Sequence, residues 1–175
     1  NGNDLTITSK TDIKQTGGQI SATKATLSVG NTIDQTAGSV IAKAGKDISL
    51  ASRTNKLQNV TVDAQNGSAT IVSANNVDGD LNVTTVGTVA KDLTITNLNN
   101  GKVNKIHFDK SLKAGGNITI TNEEADIEVA TGTTMDAQNI SLIAKNNNVN
   151  FRGGTVTAKD TVKAEAKNAN VAGGT

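Results

Sequence analysis

The sequence predicts an all-β chain wound as a right-handed parallel β-helix, a β-solenoid of about eight coils of roughly 22 residues with three short strands per coil. Three observations carry that prediction: apolar and polar residues that alternate with period two, a repeat near 22 residues, and a composition almost without bulky side chains. The hand follows the general preference for right-handed crossovers between parallel strands.

Alternation is plainest in Asp4-Leu5-Thr6-Ile7-Thr8, Asp92-Leu93-Thr94-Ile95-Thr96 and Asn117-Ile118-Thr119-Ile120-Thr121. Period two in β-branched residues marks a half-buried strand. No stretch carries a sustained helical apolar stripe. Residues 160–167 hold helix-favouring Ala, Lys and Glu, but Val162, Ala164 and Ala166 alternate, so this segment reads as strand.

The repeat fixes the architecture. The first apolar position of the alternating strand falls at Leu5, Leu27, Ile48, Ala69, Leu93, Ile118, Ile140 and Val162, in steps of 22, 21, 21, 24, 25, 22 and 22 residues. A second motif follows each strand: Ile13 to Ala22 aligns with Ile33 to Ala42, and more loosely with Val149 to Ala158. One unit is strand, Asn-rich turn, strand, Gly-containing turn, short strand, turn. Immunoglobulin-like modules repeat at about 100 residues, and ankyrin or tetratricopeptide units at about 33–34 with helical periodicity. Leucine-rich repeats need a Leu and Asn pattern that is absent. Stacked at about 4.8 Å, eight coils give a rod section about 38 Å long, in which each coil is stabilised by its neighbours.

Composition agrees with a narrow interior. The 175 residues include no Pro, Cys, Trp or Tyr and two Phe, with 17 Lys+Arg against 16 Asp+Glu. A slot lined by like residues above like takes Val, Ile, Leu and Ala; Phe108 and Phe151 fall at inward positions as local plugs. Proline is excluded where every strand is central, because its missing N–H breaks a ladder bond. Without Cys there is no disulfide or thiolate metal site. A formal charge of +1 and missing aromatic platforms argue against nucleic acid as a partner. No apolar run reaches the roughly 20 residues of a membrane-crossing helix. Asparagines collect at the turn after the first strand, from Asn31 and Asn55 to Asn168, where Asn tolerates left-handed backbone and stacks in amide ladders.

Asp-Leu-Thr-Ile-Thr, the Ile13–Ala22 motif, Ala44 to Leu50 and Lys113 to Ile120 resemble the stem repeats of filamentous haemagglutinin-like exoproteins. These are the secreted partners of two-partner secretion systems in Gram-negative bacteria, among them adhesins and contact-dependent growth inhibition exoproteins. The resemblance covers essentially the whole chain. It implies that residues 1–175 are one β-helix segment, an internal piece of a longer fibre, secreted to the cell surface with an outer-membrane transporter as partner. The implied role is to extend and present binding or effector regions in adhesion, without enzymatic activity or cofactor. A direct contact with a host or bacterial cell-surface receptor or glycan is the alternative.

The longest excursion, Asn97 to Lys110, offers the candidate contact patch: Asn97, Asn99, Asn100, Lys102, Lys105, His107 and Lys110. His107 alternates with Ile106 and Phe108 and is expected to face solvent without a ligand-spaced partner. A pectate-lyase-like enzyme needs converging carboxylates with an Arg or Lys base. Asp126 and Glu128 should point outward together, yet this pair reads as a solvated face, and Arg53 and Arg152 lie in other coils. An ice-binding face needs two regular hydroxyl columns. The first runs Thr6, Ser28, Ser49, Thr70, Thr94, Thr119, Ser141, and the second is broken by Gly30, Ala51, Val72 and Ile143. Five Asn-x-Thr/Ser sequons, such as Asn59-Val60-Thr61 and Asn82-Val83-Thr84, arise readily from alternating Asn- and Thr-rich strands.

Overall fold

In the computed structural model the described residues are 4–9, 13–15, 19–22, 24–29, 33–35, 40–44, 46–53, 55–74, 79–98 and 104–172, with burial described only beyond residue 41. Strand follows strand as the alternation requires, and the pairings among the described residues are parallel. Parallel pairing of strands this close in sequence leaves each coil stacked on the last. The chain is a parallel β-solenoid.

One face of each coil is built from Ile48–Leu50, Ala69–Ser73, Leu93–Asn97 and Asn117–Asn122, continued by the long strands Thr134–Phe151 and Thr155–Val171. Along it Ile48, Ala69, Leu93, Ile118, Ile140 and Val162 stack in one column. That column describes about five turns, against the eight coils expected. The backbone strands Asp4–Ser9 and Lys24–Val29 extend the same ladder below it. One register differs from the reading of the repeat: Leu5 pairs with Ala25, and Leu27 lies opposite Ile7. The hydroxyl column therefore takes Thr26 in place of Ser28.

A second face stacks Ile106–Phe108, Ile127–Val129 and Val149 to Phe151. The third carries Val40–Ala44, Asn59–Ala64, Leu112–Lys113 and Thr134 onward. Leu81–Thr85 bends across the corner between these two faces. Leu81 and Asn82 pair with Ile106 and His107 above, while Asn82 to Thr85 pair with Asn59 to Val62 below.

The slot is filled as the composition requires. Ile71, Leu93, Ile95, Ile118, Ile120 and Leu142 are fully buried, each worth about 1.5–3 kcal/mol of burial. Phe108 is fully buried, with Val129 and then the half-buried Phe151 above it. The last coil differs: its inward-register Val162 and Val171 are 47% and 66% exposed because no described coil lies above them.

Corner asparagines turn out to point inward. Asn55, Asn97 and Asn122 are fully buried. Asn55 Nδ2 donates to the Leu50 carbonyl at 3.1 Å. Asn97 and Asn122 both donate to the Asn104 carbonyl at 3.2 Å. The amides thus satisfy carbonyls that the turn strips of ladder partners, which is the service buried backbone demands.

Candidate functional site

The structure divides the expected contact patch. Asn97 is fully buried and is withdrawn from it, since an interior amide offers nothing to a partner. Asn99, Asn100 and Lys102 lie outside the described residues. Lys105 and His107 are part-exposed, and Lys110 is exposed.

Lys105 and His107 converge on a carboxylate one coil above. Glu128, only 14% exposed, lies 3.3 Å from Lys105 Nζ, 3.7 Å from His107 Nδ1 and 3.4 Å from Arg152 Nε. The axial stacking brings His107 opposite Glu128. His107 therefore has the carboxylate neighbour that linear spacing hid, and Arg152, expected to stand apart from acidic groups, belongs to this cluster. Asp126 is equally engaged. Its Oδ1 accepts from the Asn148 backbone N–H at 2.9 Å and side chain at 3.0 Å, and its Oδ2 accepts from Asn150 Nδ2 at 3.0 Å. Asp126 and Glu128 thus spend their oxygens on protein donors rather than on a cation. Among the described residues no three His, Cys, Asp or Glu side chains form a metal-holding group.

Axial hydrogen bonds recur on the outer surface. Asn139 donates to Asn117 Oδ1 at 2.8 Å, and Asn117 Nδ2 to Asp92 Oδ1 at 3.1 Å. Asn168 and Asn170 donate to Asn148 and Asn150 at 2.9 and 2.8 Å. In these amide pairs the upper coil donates and the lower accepts. Two carboxylates also cap the backbone of the coil above: Asp47 accepts from Ser68 N at 2.9 Å and Asp92 from Asn117 N at 2.7 Å. Glycine stands beside each capped residue. A Cβ on Gly67 would collide with the Asp47 carboxylate, and one on Gly116 with that of Asp92.

A small notch opens where Leu81–Thr85 bends across its corner. Asn59, Thr61, Asn82, Thr84, Asp109 and Lys110 line it, with about 280 Å³ of space including the open mouth. Asn59 stacks under Asn82 and Thr61 under Thr84. Asn82 Nδ2 donates to Asp109 Oδ1 at 3.2 Å. Of these residues the excursion pointed only to Lys110. The two Asn-Val-Thr triplets were visible in the sequence, but their stacking beneath Asp109 depends on the corner bend.

Residues 99–175 match the family model described as Hemagglutinin repeat. The match agrees with the resemblance to filamentous haemagglutinin-like repeats and marks this stretch as an adhesin-like repeat region, a structural repeat rather than an enzyme family. No curated protein and no solved structure matches the chain.

Proposed function

We propose that the chain is a stem segment of a secreted, surface-exposed bacterial exoprotein, extending and presenting binding or effector regions that lie elsewhere in a longer fibre. The observation that carries this reading is how the outer polar groups are spent. Asp126, Glu128, Asn117 and Asn139 bond along the rod axis to the coil above or below rather than converging on a cleft. Such a surface stiffens a rod and leaves little chemistry for a substrate.

The exposed Val162 and Val171 support the internal position, because an inward column is buried only when another coil covers it. Export as an unfolded chain through an outer-membrane transporter is in keeping with the Cys-free composition. The stem reading includes the absence of a catalytic role.

The test is target-cell adhesion by the intact exoprotein bearing outward alanines at Thr119, Ser141 and Asn139. Adhesion and surface display are expected to persist, whereas Ile118→Asp should abolish display. Loss of adhesion in a correctly displayed outward variant would instead make this segment a receptor-contacting surface.

A further inference from the structure

The notch at the bent corner has a chemistry that the stem role does not use. It lies within the stack, between the coil of Asn59–Ala64 and that of Ile106–Phe108, so its walls do not depend on what covers the ends of the rod. Its shape has a definite origin. Leu81–Thr85 passes directly from the second face to the third, whereas the coil above stays on the second face through Phe108 and reaches the third only at Leu112. Residues 109–111 therefore overhang the Asn59–Asn82 and Thr61–Thr84 steps.

The lining selects its ligand by elimination. Asp109 supplies a carboxylate and Lys110 an ammonium, both exposed. A free phosphate or sulfate would meet the carboxylate, and a metal cation would meet the ammonium, so neither sign of charge is favoured. Asn59 and Asn82 bring amides, which both donate and accept, and Thr61 and Thr84 bring hydroxyls. An apolar ligand would leave these groups unpaired, at a cost. What remains is a small neutral molecule with several adjacent hydroxyl groups, each able to donate to Asp109 and accept from an amide or from Lys110.

We propose that this notch binds one neutral hexose unit of a glycan, with the Asp109–Asn82 pair as its polar centre. The inference stands apart from the stem role, since a rod carries such a notch with or without presenting other regions. Binding by one open notch is expected to be weak, on the order of millimolar, and to gain strength only when many fibres meet many glycan chains.

The experiment is saturation-transfer NMR on the 175-residue chain with methyl glycosides of glucose, galactose, mannose and N-acetylglucosamine, each titrated to about 50 mM. Inorganic phosphate and calcium are run in parallel. Saturable binding of at least one hexose is expected, weakened about tenfold or more by Asp109→Ala and by Asn82→Ala. It should be unchanged by Arg152→Ala, which lies outside the notch. Circular dichroism confirms that each variant keeps its strands, and Asp109→Asn serves as a second, isosteric variant should Asp109→Ala unfold. Three results would overturn the proposal: no saturable hexose, phosphate or calcium binding in its place, or hexose binding indifferent to the Asp109 and Asn82 substitutions. None of them bears on the adhesion test of the stem.

Discussion

The middle of the rod and its last coil are built from the same pattern and differ in what lies above them. Ile118, Ile120 and Leu142 in the middle are fully buried, while Val162, in the same column as Ile118 and Ile140, is 47% exposed. The sequence pattern is continuous across this boundary, so the difference is one of neighbours. In a stack of coils the burial of a residue belongs to the interface between two coils rather than to either one. Substitutions at equivalent register positions should therefore have unequal effects, largest in the middle.

The largest contrast is a buried charge. Ile118→Asp places a carboxylate in the slot between Leu93 and Ile140, with no cation in that column. The expected loss exceeds about 4 kcal/mol, enough to disrupt folding of the chain. Val162→Asp leaves its carboxylate at the open end and should cost less than about 1 kcal/mol. Urea unfolding of the two variants measures the difference, and equal costs would break the nearest-neighbour account.

Truncating the two phenylalanines sharpens the same contrast without introducing charge. Phe108→Ala empties a fully buried site with Val129 above it, at an expected cost of about 3–5 kcal/mol. Phe151 is half-buried near the end, so Phe151→Ala should cost about 2 kcal/mol or less. A smaller effect is expected at the Asp–Gly corner. Gly116→Ala forces its methyl against the Asp92 carboxylate, costing about 1–3 kcal/mol. The coupled variant Asp92→Ala with Gly116→Ala should cost less than the sum of the two single changes, because removing the carboxylate makes room for the methyl. At the matching corner of the last coil, Thr161 is exposed, and Thr161→Ala should fall within about 0.5 kcal/mol of neutral.

These contrasts also show where the sequence was legible. Ile118 and Phe108 were readable as inward residues because period-two alternation ties burial to position within a strand. The second coil was misaligned because Ala25, Leu27 and Val29 all alternate, and only pairing with Leu5 and Ile7 selects among them. Asn97 read as a surface turn residue because Asn usually is one. Its burial depends on the Asn104 carbonyl, supplied after the turn that the residue itself begins. The Glu128 cluster was hidden for a related reason. Lys105, His107 and Arg152 become neighbours of Glu128 only when positions 21 to 24 apart are superposed, which requires the correct coil length at each step. The notch combines both difficulties, since Asn59, Asn82 and Asp109 meet only through the corner bend.

The smallest expected effects concern ion pairs. In the middle, Glu128→Gln removes the charge shared by Lys105, His107 and Arg152 at a site 14% exposed, with an expected loss of about 1–2 kcal/mol that shrinks as salt is added. In the last coil, Lys163 Nζ lies 2.8 Å from Glu165 Oε2, and both side chains are 60% exposed. The hydrogen bond from Lys163, followed by its charge, holds the Glu165 carboxyl below the ordinary glutamate value. A carboxyl lowered in this way favours the folded state above its unfolded value and loses that contribution as pH falls through the folded one. Water screens so exposed a pair, however, and the titration should shift without a measurable change in stability. NMR titration of Glu165 is expected to move back to the ordinary value in Lys163→Ala, while the urea midpoint stays the same between about pH 3 and pH 6. A midpoint that fell with the substitution would show that the last coil holds its outer charges as firmly as the middle does, contrary to the exposure of Val162 beside them.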